Sequence, residues 1–480
     1  MEISPLKLTR PVPVRTAAGP PRSEAGDSYA QAVEGMSRPD FSFAPRPLAL
    51  DGLEWPALEA AAVGGGVAGL LALSDFTSVR PLREARVAVD FIGGFHQQLG
   101  LDSNRLAERV ALMCQSPFLF FRANPALFHA DLHGAYQQAA RLFDQAAPTI
   151  AINGDSHMGN YGTFKGPGGE AVWGLNDFDQ AGLGSPEADL ERLAVSLMLL
   201  AAEEGLGRKY AEKMVARLAD DYFEAVAELA EGRRELGPAY LTQPDSRAPV
   251  SDLIKAAESR GQDDLLDRFV ESGRFRSDDP ELVPLEPQTQ AGLRRALEDF
   301  DRQLGPAPRV ARPLEPLDLV AKTHSGGSSR GLERYYVLVK GANPDEPVIL
   351  EFKQLLPSPV ECQDGDLSRA DAAAAVAFQK QMGGLTNPLT GSVDLNGSSF
   401  LVRERETEKG SFKGRDLDTR KSFQEAVEQA ALVLARSHCP TREQALRLAD
   451  WSGKGKKQAG ERLVEFARRY TSQTVADGQA

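Results

Sequence analysis

Two short polar segments, separated by one predicted hairpin, carry the side chains best suited to chemistry. They are Gly154–Asn160 and Asn176–Asp179. Phosphoryl transfer to a hydroxyl group needs a carboxylate that accepts the hydroxyl proton, and oxygen ligands that hold a metal ion against the phosphates. Asp155 would be that base. The metal ligands would be Asn160 and Asp177, with Asp179 as an auxiliary ligand.

The residues around these segments predict strands that lead into them. The run Pro148–Ile152 predicts a short strand before the first segment, and Ala171–Leu175 predicts a strand before the second. Glycines in Phe164–Gly169 predict the turn between them. Apolar residues at three-to-four spacing predict helices over Asn104–Met113, Ala130–Ala147, Asp189–Ala202 and Arg208–Leu229.

The two segments resemble the catalytic motifs of aminoglycoside phosphotransferases, which read H-G-D-x-H-x-G-N, then I-D-[FW], then G-x-P-x-x-D-L. In this chain the motifs lie at Gly154–Asn160, Asp177–Phe178 and Gly184–Leu190. Asn153 replaces the usual histidine, and Asn176 replaces the usual apolar residue before the aspartate.

The resemblance implies a kinase-like catalytic loop that uses ATP and Mg²⁺. It implies that Asp189 is structural and accepts hydrogen bonds from the loop backbone, and that His157 is a structural member of the loop. Arg122 follows an aromatic run, and three alternatives stay open for it: contact with the acceptor, contact with a phosphate, or a surface ion pair.

A second group of residues with possible binding chemistry follows much later in the chain. Thr323–Gly331 is rich in glycine and serine, and the two strands predicted after it end on a lysine, Lys353. A glycine-rich loop followed by a lysine-bearing strand is the layout of the nucleotide-binding lobe of kinases. The resemblance implies that Lys353 and the loop backbone grip the phosphates. The loop residues are Gly326, Gly327, Ser328 and Gly331.

This order is reversed relative to an ordinary kinase, in which the nucleotide lobe precedes the catalytic loop. We therefore predict an α+β, bilobal, protein-kinase-like fold that is circularly permuted, with a helical catalytic lobe first and a small antiparallel sheet after it. Asp155, Asn160 and Asp177 should converge on one cleft, and Lys353 should face Asp177 across a nucleotide-sized gap. The predicted elements of the sheet are strands Leu317–Lys322, Tyr335–Val339, Val348–Lys353 and Ser399–Arg403, with a packed helix over Ser368–Met382.

The chain as a whole resembles a bacterial family of uncharacterised proteins, domain of unknown function 2252. The resemblance is carried by Ser116–Arg122, Gly154–Asn160, Asn176–Asp179, Asp189–Leu193 and the glycine/serine segment that ends at Lys353. We divide the chain into a disordered tail (1–50), a helical region with both loops (51–235), a helical connector (236–314), the sheet (315–405) and helices that pack back on the catalytic lobe (406–480).

The composition limits the possible functions. A chain of 480 residues, 42 % of them hydrophobic, can bury a large core. The net charge of −13 argues against non-specific binding to nucleic acid or anionic membranes. No apolar stretch is long enough to span a bilayer, and prolines interrupt any N-terminal signal sequence. Cys114, Cys362 and Cys439 form no paired motif, which is typical of a cytoplasmic protein.

The sequence predicts an ATP- and Mg²⁺-dependent phosphotransferase that acts on a hydroxyl of a small molecule or a protein. Transfer of AMP and a catalytically silent nucleotide-binding scaffold are alternatives. Gly64–Gly69 matches G-x-G-x-x-G with Asp90 beyond it, as in dinucleotide-binding oxidoreductases, although the residues before it are more helical than strand-like. His129 and His133 have the i, i+4 spacing of a zinc site but lack the glutamate of H-E-x-x-H.

Overall fold

The computed structural model describes residues 73–98, 103–260, 262–323, 332–343, 345–361, 370–384, 387–453 and 455–480. All of them belong to one compact unit of the chain. Three predicted features lie outside the described residues: the tail 1–50, the Gly64–Gly69 segment and the glycine-rich loop Gly326–Gly331.

The helices are concentrated in the first and last parts of the described chain. They are α1 (Arg86–Gln98), α2 (Ser103–Met113), α3 (Pro117–Ala123), α4 (Pro125–His133), α5 (Pro186–Glu203), α6 (Arg208–Glu231), α7 (Val250–Glu258), α8 (Gln262–Phe269), α9 (Pro287–Gln303), α10 (Ala372–Gln381), α11 (Arg420–His438), α12 (Arg442–Ser452) and α13 (Lys456–Gly478).

Helices α5 and α6 form the centre of the helical part. Helix α5 begins after Ser185, whose side chain accepts a hydrogen bond from the Glu187 N–H, and Pro186 occupies its first turn. Helix α6 ends at Gly232, whose φ of 74° suits glycine. The C-terminal helices α11, α12 and α13 pack on α6, and α13 also packs on α5. Their apolar side chains form one core together with the strands that lead into the two loops.

The strands form several sheets. They are β1 (Ile150–Ile152), β2 (Tyr161–Lys165), β3 (Ala171–Leu175), β4 (Gly182–Gly184), β5 (Tyr240–Leu241), β6 (Val270–Glu271), β7 (Arg274–Phe275), β8 (Leu282–Pro284), β9 (Pro316–Lys322), β10 (Arg334–Val339), β11 (Val348–Gln354), β12 (Thr390–Leu395), β13 (Ser398–Glu404) and β14 (Gly410–Ser411). β1 pairs with β4, a four-stranded sheet has the order β14-β2-β3-β5, and β6 pairs with β7. The two predicted loops follow β1 and β3, which belong to sheets smaller than the largest one.

The largest sheet is antiparallel, with six strands in the order β12-β13-β11-β10-β9-β8. Side chains alternate between its faces. One face, which includes Leu350 and Phe352, packs on Phe300 of α9. On the other face, Ile349 packs on Phe269 of α8, and the following residues of β11 on this face are charged. The α+β fold class with an antiparallel sheet is therefore confirmed.

One prediction of local structure is wrong. The predicted helix Ala130–Ala147 ends at His133, because Gly134 breaks it and the buried Tyr136 accepts a hydrogen bond from the Leu82 N–H instead. The segment 236–314 contains helices α7 to α9, and it also contributes β8 to the large sheet and β5 to the four-stranded one. Of the described helices, none has the length and apolar character needed to cross a membrane.

Candidate functional site

The loop between β1 and β2, residues 153–160, is held by buried hydrogen bonds to its backbone. Asp189 of α5 accepts from the Asn153 N–H (2.7 Å) and the Gly154 N–H (2.9 Å), which is the contact that the resemblance implies. The carbonyl of Gly154 is 2.7 Å from Nε2 of His129. Burial lowers the pKa of His129 to about 4, so its ring is neutral and donates to the carbonyl. His129 therefore positions the loop.

Gly154 itself cannot be replaced easily. Its φ is 75°, and a Cβ atom there would lie 2.2 Å from the Gln180 carbonyl oxygen. The sharp turn directs the following residue, Asp155, away from the strand. The glycine of this motif is therefore explained by backbone geometry.

Asp155 is buried next to Arg192, whose side chain is fully buried. The guanidinium of Arg192, one turn after Asp189 on α5, donates to Asp155 Oδ1 at 2.8 Å. Among the described residues Oδ2 has no hydrogen-bond partner, and Nε2 of His157 lies 3.7 Å from it. Burial raises the pKa of Asp155 to about 6, although the charge of Arg192 lowers it. Asp155 is thus an ionised carboxylate near neutral pH with one oxygen available.

Asn160 closes the loop onto Asp155. Its Nδ2 donates to the Asp155 carbonyl at 2.8 Å, so its side-chain oxygen points away from that carbonyl and has no hydrogen-bond partner in the described chain. The Asn160 carbonyl in turn accepts from the Asn176 N–H at 3.1 Å. The first loop is therefore joined directly to the second.

Asn153, where the phosphotransferase motif has histidine, also joins the two loops. Its Nδ2 donates to the Asp177 carbonyl at 2.7 Å, and its Oδ1 accepts from the Asp155 N–H at 3.2 Å. One amide therefore fixes the distance between the backbones that carry the predicted base and the predicted metal ligand.

The second loop, residues 176–179, faces Lys353 of β11, which lies 176 residues later in the chain. The Lys353 ammonium is 3.4 Å from Asp177 Oδ2 and forms a closer ion pair with Asp179. The predicted nucleotide-sized gap between Lys353 and Asp177 is wrong, because the two groups are in direct contact. Lys353, Asp177 and Asp179 are largely withdrawn from water, so the lysine pairs directly with the two carboxylates.

The two carboxylates of this loop differ in their environment. Burial raises the pKa of Asp177, but the charges of Lys353, Lys409 and Arg403 outweigh burial, so its pKa is lowered. The pKa of Asp179 is raised, first by burial and then by the negative charge of Asp177. Asp179 Oδ1 is buried and has no hydrogen-bond partner in the described chain.

The sheet contributes a second buried charge cluster next to Lys353. Glu351 lies two residues before Lys353 and therefore on the same face of β11. Its carboxylate accepts from Arg334 at 2.7 Å and from Arg403 of β13 at 2.8 Å. Burial opposes ionisation, yet these arginines hold the pKa of Glu351 well below its usual range. The face of the sheet that carries Glu351 and Lys353 is therefore strongly polar next to the acidic loop.

The remaining predicted site residues lie close to Asp155 or outside the described chain. His157 is buried and neutral, because burial and the charge of Arg122 lower its pKa, and its ring contacts Phe118 edge-on. Arg122 on α3 is half-buried and forms no ion pair among the described residues, so the surface ion pair is not observed. Nothing is described of Gly326, Gly327, Ser328 and Gly331.

A metal ion at this site would have oxygen ligands. The available atoms are the side-chain oxygen of Asn160 and the carboxylates of Asp177 and Asp179. Such a set suits Mg²⁺, which takes one or two protein carboxylates and completes its shell with phosphates and water. Within the described residues no three His, Cys, Asp or Glu side chains gather as a metal cluster, and His129 and His133 form none.

Sequence reasoning missed Arg192, Glu351 and Arg403. Arg192 lies three residues after Asp189, and that spacing places both on one face of a helix, so its approach to the loop was open to prediction. No local signal indicates that Glu351 and Arg403 pair, because their contact depends on the register of β11 with β13.

Comparison with known families supports one assignment. Residues 101–480 match the family described as uncharacterised proteins conserved in bacteria (DUF2252), and the chain belongs to that family. Neither the comparison with curated proteins nor that with solved structures found a match.

Proposed function

We propose that this member of the DUF2252 family is an ATP- and Mg²⁺-dependent phosphotransferase acting on a hydroxyl acceptor. One observation carries the proposal. Asp155 and Asn160 lie in a loop joined by Asn153 to the Asp177 backbone, and Lys353 reaches the same acidic loop from a distant strand. A base, two metal-binding oxygens and a phosphate-binding lysine are the groups that phosphoryl transfer requires.

Asp155 would be the catalytic base. Its Oδ2 would accept the proton of the acceptor hydroxyl while Arg192 holds Oδ1. The acceptor oxygen would bond to the terminal phosphorus as the bond from that phosphorus to the leaving diphosphate breaks. A base with a pKa of about 6 is ionised at neutral pH and retains basicity, which suits general base catalysis.

Asn160, Asp177 and Asp179 would hold Mg²⁺, whose charge would offset that of the phosphates when bound. Lys353 would exchange its carboxylate partners in part for phosphate oxygens. The exposed fraction of the Asp177 side chain is 27 % and that of Asp179 is 10 %, so Asp177 is the more accessible ligand. Asp179 would then be the auxiliary ligand.

The proposed fold is a circularly permuted kinase-like one. Its support is the contact of Lys353 with the acidic loop together with the position of the six-stranded sheet after that loop in the chain. The segment after β11 also contacts this region: Ser358 donates to the Gln180 carbonyl at 2.7 Å, and Glu361 accepts from the Leu183 N–H at 3.1 Å.

Transfer of label from ATP tests the proposal. The wild-type protein would be incubated with Mg²⁺ and either γ-labelled or α-labelled ATP, against panels of hydroxyl-bearing metabolites and proteins. We expect label from the γ-position on an acceptor, none from the α-position, and loss of transfer in Asp155→Asn. Asp220→Asn, an exposed carboxylate on α6, is the matched control and should transfer as the wild type does.

The other outcomes distinguish the alternatives. Transfer of α-label with release of pyrophosphate would replace phosphotransfer by AMP transfer. Binding of ATP without transfer of either label would favour the silent scaffold. Transfer that is unchanged in Asp155→Asn would remove Asp155 from the role of base.

A further inference from the structure

A small cavity lies between the large sheet and the segment that connects it to the C-terminal helices. Its volume is about 50 Å³, which is room for a few water molecules or one phosphate group. Nine of its eleven lining residues have polar or charged side chains, and Phe164 is the one with an apolar side chain. The cavity therefore suits a small polar or charged ligand.

Three cations line this cavity, and one of them is already paired. Arg403 donates to Glu351. Arg405 and Lys409 form no ion pair or side-chain hydrogen bond among the described residues, and the Nε atom of Arg405 is buried. Both side chains are half-buried. A half-buried cation without a partner has lost part of its hydration and gained no counter-charge, so an anionic ligand would stabilise this arrangement.

The acidic side chains of the cavity do not neutralise these two cations. Glu404 pairs with Lys165 and Arg309, on the side away from Glu351. Glu406 accepts from Asn387 and from the Lys165 N–H, and burial raises its pKa. The carboxylates therefore have their own partners.

The surroundings of Lys409 also disfavour its charged form. The pKa of Lys409 is lowered to about 7, first by burial and then by the charges of Arg403 and Lys353, although Asp177 and Glu351 oppose the shift. The cavity adjoins the acidic loop, because Asn176, which directly precedes Asp177, is one of its lining residues. An anion in this cavity would therefore be close to the proposed phosphate-binding lysine, which contacts Asp177.

We propose that Arg405 and Lys409 bind a phosphate group of the donor in this cavity. This inference rests on the proposed function, because it assigns the donor of that reaction. Asn176, Asn387 and Thr390, which also line the cavity, carry N–H or O–H groups that can donate to phosphate oxygens.

Calorimetric binding to the full chain tests the inference with three probes: Mg-ATP, Mg-GTP and inorganic tripolyphosphate with Mg²⁺. All three probes carry phosphate groups, so all three should bind to the wild type. Lys409→Met and Arg405→Met should each weaken all three probes by about 10-fold or more, since hydrogen bonds to charged groups are lost. Lys409→Arg should retain binding, which separates lost charge from misfolding. Lys413→Met, an exposed cation four residues away, is the matched control and should bind as the wild type does.

Other results would overturn the inference in distinguishable ways. Unchanged binding in a correctly folded Lys409→Met, with binding still lost in Asp177→Ala, would remove Lys409 and leave the proposed function standing. Binding that depends on Lys409, in a protein that transfers no phosphoryl group, would leave the role of Lys409 standing and overturn the proposed function. Binding of none of the probes would overturn both proposals.

Discussion

The two loops of the site are held in different ways. The base loop, residues 153–160, is fixed by Asp189 and His129 of the surrounding helices and by Ser196, whose Oγ accepts from the Met158 N–H at 3.0 Å. The acidic loop, residues 176–179, has its side chains held by one lysine from the large sheet.

This difference indicates which part of the site a ligand can change. The contacts to the base-loop backbone are buried and belong to the helical core, so we expect nucleotide binding to leave them unchanged. The ion pairs of Lys353 are contacts that a phosphate or a metal ion would compete for directly. We therefore expect substitutions in the base-loop support to affect stability, and substitutions in the acidic loop to affect ligand binding.

The largest expected effect comes from Asp189→Ala. Asp189 is fully buried and accepts from two backbone N–H groups of the base loop, and it lies 3.0 Å from His438 Nε2. Its removal leaves buried donors without an acceptor, and we expect a loss of about 4 kcal/mol in the free energy of unfolding. Urea unfolding measures this loss. Asp220→Ala, at an exposed site, should change stability by less than about 0.5 kcal/mol. Equal midpoints for the two variants would contradict the structural role of Asp189.

The next effect compares the two loops directly through nucleotide affinity. Asp177→Ala removes a proposed metal ligand and should weaken Mg-ATP binding by about 30-fold, in addition to lowering the rate. Asp155→Asn acts on the acceptor side and should leave Mg-ATP affinity within about 2-fold of the wild type, although turnover is lost. Calorimetry at saturating Mg²⁺ measures both affinities. Equal and mild losses in the two variants would favour the silent scaffold.

The sequence predicted the parts of this site that depend on local signals. The strand Ala171–Leu175 was predicted with the bounds that the structure has, because an apolar run between a glycine turn and a polar segment is readable without tertiary contacts. The strand that ends near Lys353 was predicted for the same reason, although the part that Glu351 takes in the charge cluster was not.

What the sequence did not indicate depends on distant partners. The pairing of β8 with β9 involves only Leu282–Pro284, too short a segment to carry its own strand signal. The apolar spacing over Ala130–Ala147 is typical of a helix. Tyr136 nevertheless lies beyond the end of the helix, where its hydroxyl forms hydrogen bonds with the Leu82 N–H and the Gln473 side chain. Tertiary contacts outweigh periodicity there. The same holds for Arg405 and Lys409, because the cavity they line also includes Phe164 of β2 and Asn176 of the acidic loop, which lie far earlier in the chain.

The smallest expected effect concerns pH and again separates the two loops. Asp155 must be ionised to act as a base, so turnover should be present above its pKa of about 6 and lost as the pH falls through that value. In Arg192→Gln the guanidinium that lowers this pKa is gone, so the pKa rises and the acid limb moves to higher pH. Well below pH 6 the variant should lose about 10-fold in rate for each unit of this shift, and it should recover toward its own maximum near pH 8. Rate profiles from pH 5 to 9 measure the effect, with Arg86→Gln, at a site 83 % exposed, as the control that should follow the wild type. A uniform loss of rate across the range, with the acid limb unmoved, would mean that Arg192 supports the loop without setting the basicity of Asp155.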